Sequence, residues 1–162
     1  MKNKSIKYFT SKFFLDSEIK YGFFARTGGH SKKSFYSLNC SSRHKDKKKN
    51  VINNINAAKQ KIGLKKTMIK LMNQTHGTNI EIINNKNISK KKFADGAITM
   101  DKNISLAVLT ADCAPIFLID PIDEIICVLH SGWRGCLNNI VFKGIKKIIK
   151  INKSLKNIVA IV

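Results

Sequence analysis

Two histidines and a cysteine stand where an apolar run gives way to a turn or a strand ends, and together they could hold a metal. His76 lies in Asn73-Gln74-Thr75-His76-Gly77, Cys113 in Thr110-Ala111-Asp112-Cys113-Ala114-Pro115, and His130 closes the apolar run that begins at Ile125. Two imidazoles and one thiolate suit zinc, which takes nitrogen and sulfur ligands tetrahedrally. Three protein ligands would leave a fourth position for water or substrate, the pattern of a catalytic site. Zinc-bound water has a pKa near neutrality and so supplies a nucleophile at ordinary pH. The three residues are far apart in sequence, and either histidine could instead be a satisfied core residue.

Gly132-Trp133-Arg134-Gly135 follows His130 directly. Its glycines let backbone approach a ligand, a helix start offers free N–H groups to an anion, and Arg134 can bind an anion through two parallel hydrogen bonds. Trp133 could stack on a flat ring or simply pack. Asp112, next to Cys113, could be a general base, a partner for a ligand or a strand-end cap.

Composition sets bounds on these readings. The chain has 162 residues, 43% of them hydrophobic, and a formal charge of +20. That length suffices for one domain with a core. No run reaches the roughly 18 apolar residues of a membrane helix, and no signal-peptide h-region follows the basic start. A cytoplasmic protein without membrane attachment is expected. The basic residues are nearly all lysines spread along a chain also rich in Ile and Asn, as compositional drift would produce. No specific nucleic-acid site is read from them. Against that background Arg26, Arg43 and Arg134 are informative, because only arginine has a planar fork for carboxylate or phosphate. The four cysteines show no CxxC spacing, so a disulfide framework is not expected. Cys127 reads as a core residue.

The elements that must position these residues follow from periodicity. Aromatics at Tyr8, Phe9, Phe13 and Phe14 suggest a strand or two in residues 1–20. Tyr21 to Ala25 reads as a strand running into the glycine turn Arg26-Thr27-Gly28-Gly29-His30-Ser31. Val51, Ile52, Ile55, Ala58 and Ile62 share one face of a helix over about 47–62, with Gly63 as its stop. Strands are predicted at Thr67–Met72 and Asn79–Ile83, with a polar loop from Asn84 to Lys92. The apolar run Ile104–Leu109 predicts a central strand covered on both faces. Ile116–Ile119 and Ile125–Leu129 read as a hairpin across Asp120–Glu124. A single helix is predicted from Gly135 to about Lys150, and Asn157–Val162 as a last strand. Ending on an apolar strand suggests a fragment. The expected fold is mixed α/β: helices packed on a largely antiparallel sheet sandwich, as one domain over 1–162 that is incomplete at its C-terminal end.

The assembled motifs resemble the YfiH-type laccase-domain family, also called multicopper polyphenol oxidase-like proteins, over nearly the whole chain. Phe24-Ala25-Arg26-Thr27-Gly28-Gly29-His30-Ser31, Tyr36-Ser37-Leu38-Asn39, Gln74-Thr75-His76-Gly77 and Ala94-Asp95-Gly96 are each similar to a family segment. Thr110–Pro115 and His130–Gly135 resemble its two most diagnostic motifs. The resemblance implies the family fold, which is like the catalytic domain of cytotoxic necrotizing factor toxins. It implies metal ligation by His76, Cys113 and His130. It also implies zinc-dependent phosphorolysis of adenosine, inosine, guanosine and methylthioadenosine, with phosphate as co-substrate, and deamination of adenosine. The expected catalytic residues are Asp112, Cys113, His130 and Arg134, and substrate contacts are expected at Arg26, Asn39, Gln74, Trp133 and Arg134. Ser131 departs from the family's usual alanine. A Gly-Pro-x-Ile segment and a Tyr-Glu-Val-like stretch, expected beyond Val162, are absent. Three rivals remain: a metal-free hydrolase with Cys113 as nucleophile and His130 as base, a copper-dependent polyphenol oxidase, and a basic nucleic-acid binder.

Overall fold

The structure is a computed structural model and describes residues 5–11, 14, 18–152 and 156–162. Phe13, expected in an early strand, lies outside the described residues. The chain divides into two compact units, Met1–Lys66 and Thr67–Val162.

In the first unit β1 (Tyr8–Phe9) pairs antiparallel with β2 (Phe23–Phe24). The helix α1 spans Lys48–Lys61, close to the range its periodicity predicts. Its buried face differs from the predicted one. Ile52 is exposed, whereas Val51 and Asn54 are buried. A buried asparagine needs partners, and the preceding loop supplies them. Asn54 Oδ1 accepts from the His30 N–H at 2.6 Å, and Nδ2 donates to Ser31 Oγ, Ser37 O and Asn39 O at 2.9, 3.2 and 2.7 Å. One side chain thus fastens both the glycine turn and the Ser-Leu-Asn segment to the helix.

The second unit is a layered α/β structure. Its main sheet has the order β4 (Ile80–Ile82), β5 (Gly96–Thr99), β8 (Ile125–Ser131), β7 (Ala114–Asp120) and β9 (Val159–Ile161). All its pairings are antiparallel except β4 with β5. A separate parallel pair joins β3 (Met68–Leu71) to β6 (Ile104–Ala107). The apolar run at 104–109 is therefore not a central strand of the main sheet. It is buried at Ile104 and Ser105 and half-buried from Leu106 onward, since its apolar residues face the main sheet from a second layer.

Alternation in β8 explains the layers. Cys127 and Leu129 pack with Ile98, Leu118, Ile140 and Ile148 on one side. Val128 packs with Met72, Ala97 and Ile104 on the other. Fully burying an Ile or Leu side chain contributes about 2 kcal/mol, so the hairpin is anchored from both faces. Gly144 lets the covering helix approach the sheet, since a Cβ there would lie 3.0 Å from Leu118 Cδ1 and 3.2 Å from Leu129 Cδ1.

The single helix predicted after Gly135 is two helices, α2 (Trp133–Leu137) and α3 (Ile140–Asn152). Asn139 breaks them with φ 57°, a left-handed conformation that asparagine tolerates better than most residues. No helix among the described residues is long and apolar enough to cross a membrane.

Candidate metal centre

Strand register brings the three candidate ligands to one end of the second unit. Across the β7–β8 hairpin Pro115 pairs with His130 and Ala114 with Ser131, which sets Cys113 beside the residues that follow His130. The parallel β3–β6 pair, with Leu71 opposite Ala107, sends the 73–77 turn and the 108–113 turn out at the same end. Gln74 ties those two turns together. It is buried, its Nε2 donates to Leu109 O at 2.8 Å, and its Oε1 accepts from Leu109 N–H at 2.8 Å. The residue expected among the substrate contacts thus extends the ladder beyond β3 and β6.

The ligand atoms of His76, Cys113 and His130 all lie within 4.8 Å of one another, the single such cluster found among the described residues. The imidazole rings of His76 and His130 meet edge to face, with centroids 4.8 Å apart. A tetrahedral zinc ion sets its ligand atoms roughly 3.5 Å apart, so small side-chain rotations would close the set around one ion. Two nitrogens and one sulfur are a donor set that zinc accepts, and the residues present therefore fit such an ion. His76 is exposed, Cys113 half-buried and His130 buried, so the cluster opens toward solvent on the His76 side.

Asp95 lies behind the cluster, fully buried. Its Oδ1 is 2.8 Å from His130 Nδ1 and accepts from the His76 N–H at 2.9 Å. Its Oδ2 accepts from the Gly77 N–H at 2.8 Å and from the Thr75 hydroxyl at 2.8 Å, and the Thr75 N–H donates at 3.0 Å. Burial pushes the Asp95 carboxyl up, but hydrogen bonds from His130, Gly77 and Thr75 outweigh it and hold the group below the usual carboxylate range. His76 has φ 58°, a strained conformation for a non-glycine residue that costs about 1 kcal/mol or more. The carboxylate gathers the amides on both sides of that residue.

At Cys113, burial first and the neighbouring Asp112 carboxylate next push the thiol above its ordinary range. Asp112 is exposed, with Oδ1 3.8 Å from Cys113 Sγ. Gly132 is a close-approach position, since a Cβ there would lie 3.1 Å from His76 Cδ2 and 3.3 Å from Cys113 Sγ. Trp133 is 70% exposed and does not pack into the core. Arg134 is exposed, with its guanidinium carbon 5.0 Å from the indole centroid. The helix that opens at Trp133 is only five residues long.

Arg26 and Asn39 belong to the first unit. Arg26 is exposed. Asn39 Nδ2 donates to Asp46 Oδ2 at 2.9 Å, and its Oδ1 accepts from the Ser41 N–H at 3.0 Å.

The sequence reading named Asp95 only within the Ala94-Asp95-Gly96 segment and left it outside the site. Its signal was available. With ten acidic residues against thirty basic ones, an aspartate lodged between Ala94 and Gly96 at a strand start is an unusual choice.

Residues 20–162 match the family described as multi-copper polyphenol oxidoreductase laccase. The chain belongs to this family. It is 37% identical over 130 residues to a purine nucleoside phosphorylase of Rickettsia conorii, covering 77% of this chain and 52% of the relative. It is 30% identical over 133 residues to the purine nucleoside phosphorylase YlmD of Bacillus subtilis, covering 77% of this chain and 48% of the relative. The chain thus spans about half the length of these curated relatives. Its fold is that of YlmD from Geobacillus stearothermophilus, with a TM-score of 0.78 at 24% identity over 86% of this chain and 55% of that one. The hypothetical protein YfiH of Bacillus licheniformis superposes equally well, with a TM-score of 0.78 at 27% identity and the same coverage of both chains.

Proposed function

We propose that the chain carries the metal centre of a cytoplasmic, zinc-dependent purine nucleoside enzyme. Its reactions would be phosphorolysis of adenosine, inosine, guanosine or methylthioadenosine, and deamination of adenosine. The observation that carries this reading is the convergence of His76, Cys113 and His130 in a chain whose relatives are named purine nucleoside phosphorylases. A single cluster among the described residues suits one zinc better than the several centres of a multicopper oxidase.

His76, Cys113 and His130 would hold the ion, which when bound supplies a Lewis acid and an acidified water. In phosphorolysis a phosphate oxygen bonds to C1′ of the ribose as the C1′–N9 bond breaks, and the base takes the electron pair and a proton. Arg134 would bind the phosphate through its guanidinium fork. Trp133 offers an exposed aromatic face to a flat base. In deamination water adds at C6 and ammonia leaves, and Asp112 Oδ1, exposed beside Cys113, would hold the proton in transit. Gln74 would act through Leu109, fixing the end of β6 from which the Cys113 turn departs. Arg26 and Asn39 would contribute to substrate binding, with a raised KM expected for Arg26→Lys.

The zinc-loaded chain should release hypoxanthine from inosine only when phosphate is present, with ribose 1-phosphate as co-product and no release by Cys113→Ala. A folded, zinc-loaded sample with no phosphate-dependent cleavage of any of the four nucleosides would contradict the proposal.

A further inference from the structure

We propose that Asp95 is the positioning residue of this centre: one carboxylate orients the His130 imidazole and its tautomer and holds the backbone turn that bears His76, before any metal arrives. The inference rests on the metal-centre reading and not on the choice of substrate. His76 and His130 come from segments 54 residues apart in sequence, yet both are tied to the same side chain.

The tie to His130 selects a tautomer. An ionised carboxylate only accepts hydrogen bonds. The 2.8 Å contact between Asp95 Oδ1 and His130 Nδ1 therefore puts the proton on Nδ1. In the neutral ring Nε2 is then bare and carries the lone pair that a metal takes. A second tie fixes the strand itself, since the His130 N–H donates to Asp95 O at 2.7 Å.

The tie to His76 decides a backbone conformation. The N–H groups of Thr75, His76 and Gly77 converge on the two carboxylate oxygens, joined by the Thr75 hydroxyl. That convergence accompanies the left-handed φ of 58° at His76. Without the carboxylate the three amides lose their common acceptor, and the turn that bears His76 loses its anchor. Metal-binding histidines commonly gain affinity from such a partner. Here the same partner also shapes the turn that bears a second ligand.

Two measurements test this without any nucleoside. In metal-free wild-type chain, long-range nitrogen–proton correlation spectra should show His130 with the proton on Nδ1 and a bare Nε2. A proton on Nε2 would overturn the proposal. Zinc affinity is then read by competition with a chromophoric chelator for wild type, Asp95→Asn and Thr75→Val. Asp95→Asn should bind zinc about 10–100-fold more weakly, while Thr75→Val, which removes one donor and leaves every amide in place, should lose far less. A folded Asp95→Asn chain with wild-type affinity would overturn the proposal. If that variant does not fold, the wild-type tautomer decides alone. Failure of nucleoside turnover would leave both readouts unchanged, so the two proposals fail separately.

Discussion

A methyl group on Gly132 would lie 3.3 Å from the sulfur of Cys113, and 3.1 Å from Cδ2 of His76. The backbone at Gly132 (φ −76°, ψ 176°) is one that alanine adopts freely. Gly132→Ala should therefore fold normally while crowding two of the three ligands. We expect a thermal midpoint close to wild type and zinc affinity lower by about tenfold, read by calorimetric titration. Unchanged affinity would mean that the ligands reach the metal from positions well away from those seen here.

Asn54→Ala tests what holds the first unit's loop. The variant strands the His30 N–H and the Asn39 carbonyl beneath α1, while the Ser37 carbonyl keeps only the Ser31 N–H at 2.9 Å. Leaving buried polar groups unpaired costs about 3 kcal/mol here, and hydrogen exchange at the His30 amide should accelerate accordingly. A loss below about 0.5 kcal/mol, the range of ordinary surface changes, would show that water replaces the amide without penalty.

Acid should loosen the same loop. Hydrogen bonds from Asn39 and then Ser31 hold the Asp46 carboxyl below the usual carboxylate range. A carboxyl with a lowered folded-state pKa stabilises fully above its unfolded value, and that contribution is lost as pH falls through the folded one. Amide protection between Ser31 and Asn39 should be flat from neutrality down to about pH 5 and fall below that. Asp46→Asn should remove the acid-side dependence. An identical pH profile in the variant would assign the loosening to another group.

How far the sequence revealed all this depends on the range of the interactions. The β7–β8 hairpin and α1 were legible because their signals are local: two apolar runs across an Asp-Pro turn, and a helical stripe ended by Gly63. The partner of β6 was not, because an apolar run reports burial and not which strand lies alongside. The break before α3 depends on a left-handed Asn139, and a run of otherwise helix-compatible residues conceals it. Asn54 was hidden because a polar residue in an apolar stripe reads as an interruption until its partners, 15 to 24 residues away, are seen. At the site, His76, Cys113 and His130 could be singled out by residue chemistry. Asp95 offered only the rarity of an acidic residue in a lysine-rich chain, because its role exists only where two turns and a strand end meet.

The central claim is that these three side chains form one metal site, and metal content tests it most directly. Purified chain should carry about one zinc per molecule by elemental mass spectrometry. The His76→Ala, Cys113→Ala double variant, purified in parallel, should carry almost none. A folded wild-type sample free of metal, and still free after dialysis against zinc, would contradict the account; about one copper per chain in zinc's place would keep the site and overturn its zinc assignment.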